Sequence, residues 1–147
     1  NFSKEREQFG RPIAEFQGLQ WMLADMSVQL EAARALLHKA ALSAGHNGSP
    51  FPDPTLAAQG KIFTSEMALK VTTDALQVFG ARGYSRNYPM ERLARDARIF
   101  TIGGGTAQIL RTVVASRILE STCPQTRYAY TKLSEMDAAR AYLQAAE

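Results

Sequence analysis

Apolar residues recur at alternating spacings of three and four along the first third of the chain. They are Phe16, Leu19, Leu23, Met26, Leu30, Ala33, Leu37, Ala40 and Ala44. This spacing puts all of them on one face of an α-helix, which has about 3.6 residues per turn. Pro12 suits the first turn of such a helix, and the glycines and prolines between positions 45 and 54 end it. The pattern predicts a helix of roughly 30 residues that packs lengthwise against a neighbour.

Further helices are predicted downstream, joined by short connections. They cover about residues 55–79, 89–98, 106–120 and 131–146. Gly80 follows the first of these as a C′ residue, because glycine readily adopts the left-handed conformation found there. Thr106 precedes a later one as an N-cap, whose hydroxyl can accept a backbone N–H. No convincing stretch shows the alternation of a strand. The sequence therefore predicts an all-α, up-down helical bundle.

The three long helices carry more apolar surface than they can cover for one another. We therefore expect a further helix from an upstream region or from another subunit. On this interpretation the first helix of the bundle is largely missing from the chain, and the protein is a homo-oligomer. We expect the bundle to occupy residues 1–120 and a C-terminal extension to occupy residues 121–147.

The composition excludes several classes of protein. The chain has 147 residues, of which 46% are hydrophobic, and this suits one domain with a real core. The net charge is +3, but the cations are scattered among acids, so no nucleic-acid interface is expected. His38 and His46 lack acidic or cysteine partners at ligand spacing, so no metal site is expected. The single Cys123 favours a reducing compartment, and no apolar run is long enough to span a membrane.

Three short stretches at predicted helix ends carry the residues suited to ligand chemistry. The first runs from Arg6 to Gly10. Arg6 can pair with a diphosphate, Gln8 can read the polar edge of a ring, and Phe9 can stack on a heterocycle. The alternative is a solvated helix end with Phe9 packed in the core.

The other two stretches are rich in glycine. Gln77 and Gly80 lie at the end of one predicted helix, where glycine permits close approach of a ligand, although a plain cap and turn would also explain them. Gly103–Gly105 directly precede another helix, whose free N–H groups and positive dipole end favour an anionic or electron-rich ligand. No strand precedes these glycines and their spacing differs from a dinucleotide-binding fingerprint.

The order and spacing of the three stretches together resemble a known family. The segments are R-E-Q-F-G-R-P-I-A-E-F-Q, D-A-L-Q-V-F-G-A-R-G-Y and Y-P-M-E-R-L-A-R-D-A-R-I-F-T-I-G-G-G-T-A-Q-I-L-R. They closely resemble the C-terminal helical domain of acyl-CoA dehydrogenases over about residues 2–119. The resemblance implies an FAD-dependent, homodimeric or homotetrameric enzyme that acts on an acyl-CoA and passes electrons to an electron-transfer flavoprotein. Such an enzyme is expected in the cytoplasm of a bacterium or in the mitochondrial matrix of a eukaryote.

The resemblance also carries over seven cofactor-binding positions. They are Arg6, Gln8, Phe9, Gln77, Gly80, Thr106 and Gln108. The resemblance implies that Gln77 and Gly80 meet the flavin bound mainly by the partner subunit. Thr106 and Gln108 are implied to contact the adenine-nucleotide part or the flavin of their own subunit. Ala81 replaces a glycine that is common in the family, which we expect to shift the contact geometry rather than abolish it.

The catalytic base of the family is absent from the expected position. The family's reaction is α,β-dehydrogenation, in which a carboxylate removes the α-proton and hydride passes to the flavin. Many members carry this base in a Tyr-Glu-Gly-Thr segment, but here Gly104 occupies the Glu position and Gly103–Gly105 are expected to line a widened substrate pocket. We therefore expect no catalytic residue in this chain and no turnover by these 147 residues alone.

Two explanations for Gly104 stay open. In isovaleryl-type and long-chain-type members a Glu on the preceding long helix acts as the base, and we favour this explanation. Alternatively, the protein is a relative without dehydrogenase activity, such as a non-catalytic subunit of a mixed complex or a flavin monooxygenase-like protein. A helical interaction module without enzymatic activity is the competing class.

Overall fold

The computed structural model describes residues 1–45 and 49–119 of the protein. In chain order the elements are α1 (Phe2–Glu5), β1 (Glu7–Gln8), β2 (Arg11–Pro12), a 3-10 turn (Ile13–Glu15), α2 (Gln17–Leu42), α3 (Pro54–Phe79), α4 (Ala81–Tyr84), α5 (Met90–Ile99) and α6 (Ala107–Ile118). The predicted all-α class is confirmed. The extension at 121–147, its predicted helix, and Cys123 and His46 lie outside the described residues.

Helix α3 is the central element, and α2, α5 and α6 all pack against it. Its start is fixed by Asp53, whose carboxylate accepts the N–H groups of Thr55 and Leu56, both at 2.9 Å. Pro54 occupies the first turn, where its missing N–H costs nothing. The helix ends at Gly80, which has a φ of +58° and donates its N–H to the carbonyl of Gln77. The predicted end of this helix at Gly80 is therefore confirmed, whereas the cap by Asp53 was not predicted.

The buried core consists mainly of small side chains. Its hydrophobic members are Ile13, Ala33, Ala40, Ala58, Ala97, Ala107 and Val113. Alanine at these positions lets the helix backbones approach closely. Several large apolar side chains remain exposed on the outer faces of the helices, including Trp21 and Val28. This confirms that the helices carry more apolar surface than they cover, while the identity of whatever covers it stays a prediction.

The N-terminal segment corrects one expectation from the sequence. Pro12 does not begin a helix, because β1 and β2 pair as an antiparallel hairpin with Glu7 opposite Pro12. Phe16 is still extended, with φ −83° and ψ 121°, and α2 begins only at Gln17. The two-residue ladder is too short to show strand alternation in the sequence. The tight turn that closes it depends on local backbone conformation rather than on an apolar pattern.

Gly83 lies within α4 and packs closely against the end of α3. A Cβ on this residue would lie 2.6 Å from the carbonyl oxygen of Leu76 and 2.8 Å from Cβ of Phe79. Both atoms belong to a rigid helix, so neither can move aside cheaply. This glycine is therefore required for packing within the chain, which leaves Gly80 as the glycine of this segment that a ligand could approach.

Replacing Gly83 with alanine should destabilise the domain. We expect Gly83→Ala in the full-length protein to lower the free energy of unfolding by about 1–3 kcal/mol, because the new methyl group overpacks the contact with α3. Gly18→Ala is the matched control, since a Cβ there meets nothing within 4 Å. Urea denaturation followed by circular dichroism measures both. Equal stabilities for the two variants would contradict the packing account.

Candidate functional site

Phe9 is displayed at the tip of the N-terminal hairpin. Phe9 and Gly10 both have positive φ, 52° and 78°, as in the two-residue turns that match the twist of a hairpin. The Phe9 side chain is 93% exposed, so the alternative that it packs in the core is wrong. Its ring makes an edge contact with Phe16 at 6.2 Å between centroids. A bulky residue in the left-handed region is strained, and such strain is common at functional sites.

Arg6 lies where the hairpin meets the end of α3. Phe2 stacks on Phe79 with ring centroids 4.1 Å apart, and this contact holds the N-terminal segment against α3. A cavity of about 380 Å³ opens beside it, lined by Phe2, Glu5, Arg6, Glu7 and Arg82. The structure thus places Arg6 of the first predicted motif near the helix end that carries Gln77 and Gly80, while Phe9 lies at the hairpin tip. We call Arg6, Gln8, Phe9, Gln77 and Gly80 the hairpin cluster.

The backbone conformation at position 80 requires a glycine, and the space around Gly80 is also accessible to a ligand. Its φ of +58° and ψ of −140° belong to a conformation that side-chain-bearing residues avoid. A Cβ built there would meet no protein atom within 4 Å. Gln77 lies one turn earlier and is exposed. A cap and turn therefore explains the glycine itself, while the free surface around it remains accessible.

The three glycines form the turn between α5 and α6. Gly104 and Gly105 have φ of +68° and +90°, so two of the three positions need glycine for the turn alone. Gly103 donates its N–H to the carbonyl of Ile99 at 2.7 Å, which closes the end of α5. A Cβ on Gly104 would meet only Cε of Lys61, at 3.8 Å. Among the described residues, the side chain within 4 Å of a Cβ at position 104 is therefore that of a cation, Lys61.

Thr106 and Gln108 line a groove between α3, the end of α5 and the start of α6. The groove has a volume of about 470 Å³ and is lined by Glu66, Leu69, Lys70, Thr73, Asp74, Arg98, Thr101, Ile102, Thr106, Ala107 and Gln108. The three glycines lie beside it rather than in its wall. Thr106 caps α6, because its hydroxyl accepts the N–H of Ile109 at 3.2 Å. We call Gly103–Gly105, Thr106 and Gln108 the glycine-turn cluster.

Ion pairs order the walls of this groove. Arg111 of α6 pairs with Glu66 of α3 at 2.7 Å and ties the two helices together. On α3, Lys70 pairs with Asp74 at 2.5 Å. The hydrogen bond that the Lys70 ammonium donates to Asp74, reinforced by the charge of the carboxylate, raises the pKa of Lys70 above the ordinary value of 10.5. The α3 wall therefore carries charges of both signs, and the opposite side contributes the cation Arg98, which suits a ligand with several polar groups.

The groove and the helix end that carries Gln77 and Gly80 are neighbouring parts of α3. Thr73 in the groove and Gln77 in the hairpin cluster are one turn apart, about 6 Å along α3. Both side chains are exposed. Lys61 lies beside Gly104, and Arg82 lines the same cavity as Arg6. Neither residue was predicted from the sequence to belong to a site. Nothing in the local sequence distinguishes them from ordinary surface cations.

The described residues show neither a metal cluster nor a membrane span. Within 1–45 and 49–119, no group of three or more His, Cys, Asp or Glu side chains could hold a metal ion. In the same part of the chain, no helix combines the length and apolar character needed to cross a membrane.

Comparison with known proteins identifies matches over most of the chain. The family model described as acyl-CoA dehydrogenase, C-terminal domain, matches residues 1–119. The 3-sulfinopropanoyl-CoA desulfinase of Advenella mimigardefordensis is 65% identical over 134 residues, which cover 91% of this chain and 32% of that protein. The chain therefore spans about a third of the length of the curated relatives it matches.

Solved structures match the same part of the chain. The structure of butyryl-CoA dehydrogenase from Megasphaera elsdenii is 44% identical with a TM-score of 0.74, covering 80% of this chain and 30% of that one. An FAD complex of PigA is 27% identical with a TM-score of 0.72, again covering 80% of this chain and 30% of that one. The fold and the order of the motifs are therefore shared with these proteins.

Proposed function

Because the chain belongs to the acyl-CoA dehydrogenase family as its C-terminal domain, we propose that it is the FAD-binding and oligomerisation domain of an acyl-CoA enzyme. The residues present fit a flavin dinucleotide. Phe9 offers an exposed ring, Gly80 an open backbone, and Gln108 an amide at the groove. The FAD complex of PigA, which shares the fold, supports the choice of cofactor.

We further propose that one FAD is held by two subunits. The Phe9 ring projects from the hairpin and contacts Phe16 by an edge only, so most of its surface is free to pack against another molecule. The hairpin cluster of one subunit would then face the flavin of its partner, while Thr106 and Gln108 serve the flavin of their own subunit. The exposed apolar side chains of α2 support a homo-oligomer of this kind.

Phe9 should be needed for tight binding of FAD. We expect Phe9→Ala in the full-length protein to weaken FAD binding about 10-fold, because a stacking contact is lost. Phe51→Ala is the control, since Phe51 is also exposed but lies between α2 and α3, outside both clusters. Flavin fluorescence during titration of the apoprotein gives both dissociation constants. Unchanged affinity in Phe9→Ala would count against the hairpin as a cofactor contact.

For the reaction, we propose removal of the sulfinate group from 3-sulfinopropanoyl-CoA. The observation that carries this proposal is the glycine at position 104 with Lys61 beside it, where many family members have a carboxylate. A cation near the acyl site attracts an anionic sulfinate, whereas a carboxylate would repel it. The 65% identity to the Advenella desulfinase, against 44% to the butyryl-CoA dehydrogenase, supports the same conclusion.

The chemistry of desulfination balances without an external electron acceptor. Water supplies the hydroxyl group that joins sulfur and the proton that joins carbon as the C–S bond breaks. The products are propanoyl-CoA and hydrogen sulfite. Sulfur is formally oxidised by two electrons and carbon is reduced by two, so no electron-transfer flavoprotein is required. Desulfination also does not require a carboxylate base at position 104.

Dehydrogenation is the second candidate, supported by the similarity to butyryl-CoA dehydrogenase. It needs a Glu from outside this chain as the base, and bound FAD would supply the hydride acceptor. An electron-transfer flavoprotein would then be a partner. The Advenella relative is bacterial, so of the two expected compartments we propose the cytoplasm.

Product analysis separates the two reactions. The full-length protein with FAD is incubated anaerobically with 3-sulfinopropanoyl-CoA, and separately with butanoyl-CoA plus an acceptor dye. We expect one sulfite and one propanoyl-CoA per substrate consumed, and no reduction of the dye. Dye reduction with an enoyl-CoA product would establish dehydrogenation instead. A flavin-free protein that is inert in both assays would favour the non-catalytic relative.

A carboxylate at position 104 should impair desulfination through its charge. Gly104→Glu and Gly104→Gln share the strain of a positive φ and differ in one negative charge. We expect kcat/KM for 3-sulfinopropanoyl-CoA to be about 10-fold lower in Gly104→Glu than in Gly104→Gln, because the carboxylate repels the sulfinate. The comparison is made in steady-state assays at pH 7. Equal values would argue against an electrostatic reason for the glycine.

A further inference from the structure

Lys61 connects α3 to both sides of the glycine turn. Its ammonium donates hydrogen bonds to the carbonyl oxygen of Phe100 and, at 3.2 Å, to Oγ of Ser65. Its Cε lies 3.8 Å from the position of a Cβ on Gly104. One side chain from a distant part of the sequence therefore bonds the residue before the turn and lies beside the space that a side chain at position 104 would enter.

The carbonyl of Phe100 needs such a partner. Phe100 is the C-cap of α5, where the last carbonyl groups have no partner within the helix. In the described part of the chain the turn does not satisfy it, because the N–H groups of Ile102 and Gly103 both donate to Ile99. A cation at a helix C-terminus also interacts favourably with the helix dipole. Lys61 therefore supplies both a donor and a charge at this point.

The Lys61 side chain is itself held in place. Ser65, one turn later on α3, is only 3% exposed. Its hydroxyl donates to the carbonyl of Lys61 at 2.5 Å and accepts from the Lys61 ammonium. Lys61 is half-buried, so its orientation is fixed by a buried hydroxyl rather than left to solvent.

We propose that Lys61 is the positioning residue of the glycine-turn cluster. Three successive glycines have more backbone freedom than any other sequence, so the turn needs an anchor outside itself. Lys61 fixes the path from Phe100 to Gly104, and with it the start of α6 that carries Thr106 and Gln108. The role of this turn in catalysis rests on the proposed function, whereas the anchoring itself does not.

Hydrogen exchange tests the anchoring directly in the full-length holoenzyme. Lys61→Met removes the ammonium and keeps most of the apolar stem, and Lys61→Arg keeps a charged donor. Lys39→Met, on α2, is the matched control. We expect the amides of residues 101–107 to exchange about 10-fold faster in Lys61→Met, as loss of one charged hydrogen bond implies. Lys61→Arg should restore most of the protection, and Lys39→Met should match the wild type.

Kinetics then test the consequence for the site. We expect KM for the acyl-CoA substrate to rise about 10-fold in Lys61→Met, which loses both the anchor and the charge that attracts the sulfinate, while kcat changes less. Ser65→Ala keeps the Lys61 charge, so a smaller rise in KM there reports on the ordering of the turn. Unchanged exchange and unchanged KM would overturn the proposal, and so would a loss of stability without faster exchange at the turn. If Lys61→Met does not fold, Ser65→Ala serves as the test. We expect smaller increases in the exchange rate of residues 101–107 and in KM for this variant, and exchange at the wild-type rate would overturn the proposal.

The two proposals can fail separately. If the wild-type protein binds no flavin and turns over neither substrate, the proposed function fails while the exchange measurement still reports on the anchor. If the wild type is active and Lys61→Met matches it in exchange and KM, only the role of Lys61 fails.

Discussion

The packing of α2, α5 and α6 against the single helix α3 determines where every candidate functional residue lies. This packing is close because small residues meet at the contacts. A Cβ on Gly60 of α3 would lie 3.8 Å from Leu37 and 3.9 Å from Ala40 of α2. Because α2, α5 and α6 all pack against α3, the turns at the ends of these helices are fixed relative to each other. The hairpin cluster and the glycine-turn cluster are both such ends.

The glycine turn shows how backbone requirements and chemistry share one segment. The positive φ of Gly104 and Gly105 allows α6 to start at once after α5. On the proposed correspondence with the family, the same glycines leave no acid at the position where many dehydrogenases carry their base. The charge that reaches the turn is instead the ammonium of Lys61. A site of this sign favours an anionic acyl group, and this preference connects the backbone of the turn to the proposed desulfination.

The elements that the sequence predicted correctly are those with local signals. Apolar periodicity indicated α2 and α3, Gly80 ends a helix as predicted, and Thr106 begins one as the predicted N-cap. The hairpin was missed because its two-residue strands carry no periodic pattern. The exposure of Phe9 depends on that hairpin, so it could not be read from the sequence either.

Contacts between distant residues were beyond prediction for a different reason. Lys61 meets Phe100 across 39 positions of the chain, and Arg111 meets Glu66 across 45. Such pairs exist only once the helices have packed, and a single sequence does not indicate which surface cation finds which partner. The cofactor positions implied by the family resemblance therefore stay a prediction, and the long-range contacts around them were found only in the structure.

The central claim is that two subunits complete one flavin site. It is tested most directly by mixing subunits that carry Phe9→Ala with subunits that carry Gln108→Ala, and by measuring tightly bound FAD per subunit. Each variant alone is expected to retain little flavin. In mixed oligomers one site receives both substitutions and another receives neither, so flavin content should recover toward one equivalent per mixed pair, which is half an equivalent per subunit. No recovery on mixing would contradict the account and would place both clusters on the flavin of a single chain.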